Sequence, residues 1–262
     1  MTRAIGLLAL FVVLVGLHAS SSQAFDAEGQ FSYVLDGAVV AEENFTFTTT
    51  EAGNTRLEST FILLSEEFLL QFETDRLFDQ TLELTPDLSL LSYTLASDTA
   101  QGKFNVEVSV KDGVANLSFS TFNADDEQTR SGQQDVLLED DVVASGISGS
   151  GSQLTLLQAI LLKRNITQKT TLLALNPSDL FNPLVEVVVE PLSELNVTAG
   201  GQTFPVQRFS VSQLLQGSDG DPFTVELLSR DGKMIAYRAL SQTSALLVYR
   251  SDLFPDGIEV DG

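Results

Sequence analysis

The stretch that decides the fold is Lys103-Phe104-Asn105-Val106-Glu107-Val108-Ser109-Val110. Every second residue in it is apolar and the residues between are polar, which is the pattern of a β-strand with one buried and one solvated face. Asp112-Gly113 follows, and the alternation resumes from Ala115 onward. Asp and Gly both tolerate the positive φ angles of a tight turn, so the sequence predicts an antiparallel hairpin.

The same hairpin pattern recurs along the chain. Asp36-Gly37 and Asp231-Gly232 each separate two apolar-rich runs, and the segment 51–54 separates two more. The sequence therefore predicts a mainly β protein, an antiparallel meander that forms a curved sheet, a half-barrel or a two-sheet sandwich. Further strands are expected at Leu69–Arg76, Leu88–Leu95, Lys169–Leu175, Val185–Val189, Gln207–Val211 and Ala245–Arg250.

One segment departs from this period and predicts a central α-helix at about residues 153–164. Ser152 is available as its N-cap, and Lys163-Arg164 lies in the last turn, where cations complement the helix dipole. The Gly/Ser-rich run 144–152 before it predicts a flexible loop within the same domain. Apolar residues recur at helical spacing at Leu154, Leu157, Ile160 and Leu161.

The first 24 residues have the pattern of a signal peptide. Arg3 precedes the uncharged apolar run Ala4–Leu17, and Ser22-Gln23-Ala24 supplies the small residues of a cleavage site. The run is shorter than the roughly 20 residues of a transmembrane helix. We therefore expect an exported protein of the bacterial periplasm or extracellular space, with one domain at 25–262 and no transmembrane span after processing.

The amino-acid composition excludes most kinds of catalytic site. His18 is the only histidine and lies in the predicted leader, and the chain has no Cys and no Trp. Histidine and cysteine supply most general bases, activated nucleophiles and zinc ligands, so we expect a non-enzymatic protein without metal or cofactor. Two sets of acidic residues are either solvated turns or calcium ligands: Asp125-Asp126-Glu127 with Glu139-Asp140-Asp141, and Ser218-Asp219-Gly220-Asp221. Neither set has the EF-hand spacing.

The charge of the chain excludes further partners. Its formal net charge is −22, and loss of Arg3 with the leader lowers it to −23. Nucleic-acid binders neutralise phosphates with Lys and Arg, so nucleic acid is not an expected partner. Anionic membrane surfaces are disfavoured for the same reason.

Runs of consecutive large apolar residues predict that some strands are buried on both faces. Examples are Phe61-Ile62-Leu63-Leu64 and Phe68-Leu69-Leu70. Two functions remain open on this basis: a carrier that holds a lipid or other apolar ligand in a β-shell closed by the helix, or a structural or protein-interaction component of the cell envelope with a solid core. The predicted ligand-binding residues of the carrier are Phe61, Leu63, Leu70, Leu157 and Ile160.

The order of the predicted elements along the chain is similar to that of a known group of domains. A leader, a meander beginning at 31–37, a Leu-rich helix, a strand at 204–211 and a hairpin at 230–233 follow one another. In this order the chain resembles exported bacterial β-meander domains of unknown function and is remotely similar to the periplasmic lipoprotein-carrier shell. The resemblance implies an open or half-closed β-barrel that handles apolar ligands, and it transfers no functional residue.

The leader gives the first prediction. If Ser22-Gln23-Ala24 is the processing site, the exported protein begins at Phe25. N-terminal sequencing of the protein from its native compartment measures this directly. Recovery of a form that retains Met1 in a membrane fraction contradicts it.

Overall fold

The computed structural model describes residues 27–64, 77–99, 102–138, 142–143, 150–175, 183–213, 222–240 and 245–261. These residues form fifteen strands and a helix, α1 (Gly151–Lys163). The strands are β1 (Glu28–Leu35), β2 (Ala38–Thr49), β3 (Thr55–Leu63), β4 (Leu77–Leu84), β5 (Leu90–Thr99), β6 (Gly102–Lys111), β7 (Val114–Asn123), β8 (Gln128–Leu137), β9 (Thr170–Leu175), β10 (Leu184–Ala199), β11 (Gln202–Gln213), β12 (Phe223–Arg230), β13 (Lys233–Leu240), β14 (Ala245–Arg250) and β15 (Glu259–Val260).

All fifteen strands belong to one curved antiparallel sheet that does not close. Its order is β15-β10-β11-β12-β13-β14-β1-β2-β3-β4-β5-β6-β7-β8, and β9 pairs with β10 beside this path. The pairing of β1 with β14 joins the two halves of the chain. The predicted antiparallel meander with a curved sheet is therefore confirmed.

The Asp-Gly turns form the hairpins that the sequence predicts. The strands that flank Asp112-Gly113 pair Val108 with Leu117 and Val106 with Phe119, so their apolar residues share one face. Both residues of each turn have positive φ, which a two-residue hairpin requires. The values are 50° and 86° at Asp36-Gly37, 52° and 75° at Asp112-Gly113, and 52° and 79° at Asp231-Gly232.

Helix α1 lies against the inner face of the sheet and is enclosed along most of its length. Residues 151–161 are all buried, including the predicted Leu157 at 0% and Ile160 at 3% exposure. The N-cap is Ser150, whose hydroxyl accepts from the Gln153 amide, rather than Ser152. Gln158, which the helical pattern places toward water, is 1% exposed, because the sheet surrounds the helix instead of covering one stripe of it.

The apolar side chains form two clusters on opposite faces of the sheet. The larger one fills the inner face around α1. The smaller one lies on the outer face of β10–β14, around Leu228 and Tyr249, and the C-terminal Phe254, Ile258 and Val260 pack on it. Double-sided coverage does not extend to β3, because Ile62 is 38% exposed and Leu64, directly after the strand, is 50% exposed.

Several predicted features lie outside the described residues: the leader 1–24, the strand Leu69–Arg76, the run 144–149 and the acidic segments 139–141 and 218–221. Within the described ranges, no helix combines the length and the apolar composition that crossing a membrane requires.

Candidate functional site

A row of side chains crosses the inner face of the sheet where α1 begins. Strand register aligns Phe31 of β1 with Glu43 of β2, Glu43 with Phe61 of β3, and Phe61 with Phe78 of β4. Glu43 is completely buried at 0% exposure. A carboxylate thus lies between phenylalanine side chains of the neighbouring strands, directly beneath the first turn of the helix.

The carboxylate of Glu43 accepts hydrogen bonds from the start of α1. The Gly151 amide donates to Oε2 at 2.8 Å and the Ser150 hydroxyl donates to Oε1 at 2.7 Å. Ser152 donates through its hydroxyl and, at 3.4 Å, through its amide. From the sheet, the Tyr33 hydroxyl donates to Oε2 at 2.7 Å. Strand β2 is thereby fixed to the N-terminus of the helix.

A second set of polar side chains surrounds this contact. The Gln80 amide donates to Ser150 Oγ at 2.9 Å and to Ser59 Oγ at 2.7 Å. Its carbonyl oxygen accepts from Gln153 Nε2 at 2.5 Å. We call Tyr33, Glu43, Ser59, Gln80 and residues 150–153 the Glu43 cluster. Its hydrogen bonds join β1, β2, β3 and β4 to the first turn of α1.

The helix N-terminus supplies the electrostatic compensation for Glu43. Unpaired amides and the helix dipole make the start of a helix favourable for an anion. Among the described residues, no Lys or Arg forms an ion pair with Glu43. Burial, and then the nearby negative charge of Glu43, raise the pKa of Tyr33 and of Tyr237 well above the ordinary value for tyrosine. Both phenols are therefore held protonated.

An aromatic row continues from the Glu43 cluster away from the helix. Phe61 meets the Tyr33 ring edge-on at 4.8 Å and the Phe78 ring at 5.7 Å between centroids. Through Ser97, the register extends the row to Phe104 of β6. Phe61, Phe78 and Phe104 are only partly buried. We call these three side chains the aromatic row.

The structure separates the predicted ligand-binding residues into two groups. Phe61 lies in the aromatic row and Leu63 lies one register position beyond it, and both are partly buried against the inner cluster. Leu157 and Ile160 are buried within α1. Leu70 lies outside the described residues. Their role as ligand contacts stays a prediction.

Sequence reasoning missed Glu43, although its signal is present. In β2 the inward positions are Ala41, Glu43, Phe45 and Phe47, all of them buried. A single acid in the inward phase of an otherwise apolar strand indicates a buried carboxylate with a dedicated partner. The partner, the first turn of α1, is more than 100 residues away in sequence.

The acidic loop at 125–127 is a solvated turn. Asn123 Oδ1 accepts from the amides of Asp125 and Glu127 at 3.0 and 2.9 Å, and Asp126 pairs with Lys103 Nζ at 2.7 Å. Across the described ranges, no group of three or more His, Cys, Asp or Glu side chains is arranged to hold a metal ion.

Polar depressions lie on the outer face of the sheet. One of about 620 Å³ is bordered by Glu28, Glu58, Asp79 and Asp252. Another, of about 430 Å³ on β5–β8, is bordered by Thr94, Glu107, Asn116, Gln133 and Asp135. Their carboxylates, amides and hydroxyls are unsuited to apolar ligands.

No protein-family model and no curated protein sequence matches this chain. Among solved structures, a beta-barrel-like protein of the domain of unknown function DUF1849 from Brucella abortus is similar, with a TM-score of 0.54 and 8% identity over 90% of this chain and 97% of that one. A DUF1089 family protein from Pseudomonas aeruginosa has a TM-score of 0.42 and 15% identity, over 74% of this chain and 88% of that one. The first likeness defines the class of the fold, which is beta-barrel-like.

The Glu43 cluster gives a prediction about stability. Glu43→Ala removes the carboxylate that accepts from the Gly151 amide and from the Tyr33, Ser150 and Ser152 hydroxyls, so we expect the free energy of unfolding to fall by about 3 kcal/mol. Chemical denaturation measures the change. The control is Glu42→Ala, next to Glu43 on the outer face, where we expect a change within about 0.5 kcal/mol. Equal effects of the two substitutions contradict the assigned role of Glu43.

The buried tyrosines give a prediction about pH. Their raised pKa values mean that the unfolded chain releases these protons first, at its ordinary tyrosine pKa of about 10. Their contribution to stability is therefore complete below that pH and is lost as the pH rises above it. Urea unfolding across this range measures the slope of stability against pH, and Tyr237→Phe should make the slope shallower. An unchanged slope in this variant contradicts the prediction.

Proposed function

We propose that this chain is a non-catalytic carrier that binds a lipid or other apolar ligand on the inner face of its curved sheet. The single observation that carries the proposal is the aromatic row, together with Leu63. These large apolar side chains lie on the face that elsewhere forms the core, yet they are only partly buried. An incompletely buried apolar surface on a concave face is typical of a ligand-binding site.

The Glu43 cluster supports the position of this site. It fixes the start of α1 beside Tyr33, and Tyr33 contacts Phe61 of the aromatic row. The helix therefore fills the inner face on one side of the cluster, and the aromatic row lies on the other side. A ligand at the row contacts the sheet without displacing α1.

A non-catalytic role is consistent with the chemistry of the described residues. Glu43 is enclosed, and both of its oxygens accept hydrogen bonds, which leaves it with no access to a substrate. The proposed compartment, the bacterial periplasm or the extracellular space, is supported by the leader pattern at 1–24.

The alternative function is a structural or protein-interaction component of the cell envelope with a solid core. The enclosure of α1 favours it, since residues 151–161 fill the inner face with their own side chains. In that case the partly buried aromatic row is the rim of an ordinary core.

A fluorescent fatty-acid probe tests the carrier function. We expect wild-type protein to bind the probe and Phe61→Ser to weaken binding about tenfold, which corresponds to about 1.4 kcal/mol and about half the value of a fully buried Phe side chain. The matched control is Ile62→Ser, because Ile62 is the next residue of β3 and lies on the outer face at 38% exposure.

The result decides between the two functions. Equal weakening by both substitutions contradicts a site on the inner face. Wild-type protein that binds no apolar probe overturns the carrier function and leaves the solid-core envelope protein.

A further inference from the structure

Strand β8 ends the sheet with an open edge. It pairs with β7 on one side, and no strand within the described ranges pairs with the other side. Eight of its ten residues are exposed. A row of unpaired backbone N–H and C=O groups at a sheet edge is a template for another strand.

The protections of β8 as an edge strand are the charged Arg130 and Asp135 and a bulge at Thr129, and its centre, Ser131 to Gln134, has none. Its sequence, Gln128 to Leu137, contains no Pro and no Lys, and its pairing with β7 is regular from Arg130 to Leu137. At the other end of the sheet, β15 has only two residues, and β9 forms a bridge between Ala174 and Val143 on its far side. Between these two partners, residues 190–195 of β10 also lack a strand partner on that side within the described ranges, but that stretch contains Pro191, which protects an edge.

Charge favours a second copy of this chain as the occupant. The chain carries a net charge of −22, so most approaches of one copy to another are repulsive. Strands β6–β8 carry three basic and two acidic side chains, Lys103, Lys111, Arg130, Glu107 and Asp135, and further acidic residues lie only in the turns at their ends. The centre of the β8 edge, Ser131 to Gln134, carries no charge, so two copies can meet there with little repulsion.

The sequence of β8 is also self-complementary. In a symmetric antiparallel pair, residues that face one another must point to the same side of the sheet. With Gly132 opposite Gly132, Ser131 faces Gln133 on the outer side of the sheet and Arg130 faces Gln134 on the inner side. Each pair joins a donor to an acceptor, and no like charges lie opposite one another.

We propose that β8 pairs with β8 of a second copy to form a two-fold symmetric dimer whose sheet continues from one protomer into the other. An interface of this kind uses the same surface on both subunits and closes without further growth. The proposal does not depend on the carrier function.

Sedimentation of the wild-type protein tests the oligomeric state, and we expect a dimer. Ser131→Lys combined with Gln133→Lys places positive charges opposite one another and should give a monomer with an unchanged circular dichroism spectrum. Ser118→Lys combined with Ser120→Lys adds the same charge to the outer face of β7 and should leave the dimer intact. A monomeric wild type, or a dimer that survives the β8 substitutions, overturns the proposal.

The absence of cysteine allows a second test that does not destabilise the pairing. Ser131→Cys and Gln133→Cys proteins, mixed and oxidised, should form a disulfide between protomers, because facing residues of paired strands lie within disulfide distance. Ser92→Cys, on β5 within the sheet, mixed with Gln133→Cys is the control and should form none. Equal cross-linking in both mixtures overturns the proposed register.

Discussion

The contact between the Glu43 carboxylate and the first turn of α1 constrains the rest of the structure. A buried carboxylate is strongly unfavourable unless hydrogen-bond donors replace water. Here the helix start and Tyr33 supply those donors. The burial of Glu43 on the inner face is therefore stabilised by α1, and Glu43 in turn accepts from the Gly151 and Ser152 amides at the start of that helix. The two elements depend on each other.

This mutual dependence divides the inner face into two regions. On the helix side, the core is complete, with Leu154, Leu156 and Leu157 all at 0% exposure. On the other side, the sheet supplies the aromatic row, whose three side chains are only partly buried. The polar Glu43 cluster is the boundary, and it hinders any shift of the helix along the sheet because the carboxylate has no alternative donors in the apolar row.

Local sequence patterns predict the hairpins of this fold, because contacts between residues close in sequence determine them. The Asp-Gly turns and the alternation around Val106 and Val108 specify hairpins without reference to the rest of the chain. Strand β8 escaped prediction because Gln128 to Leu137 is polar on both faces, and only pairing with β7 makes it a strand. The partner of Glu43 could not be predicted either, since nothing in the sequence of β2 shows that the start of α1 lies opposite this residue.

The enclosed helix also accounts for the large number of strands in the sheet. An α-helix with side chains is about 10–12 Å wide, so a sheet that surrounds one needs many strands to reach the required curvature. Antiparallel hairpins add strands one by one, and in this chain the last hairpin partner, β8, is followed by the segment that leads into α1 instead of by a closing strand. Among the described elements, α1 follows β8 and occupies the interior that the curved sheet encloses, and β9 to β15 then extend the sheet at its other end.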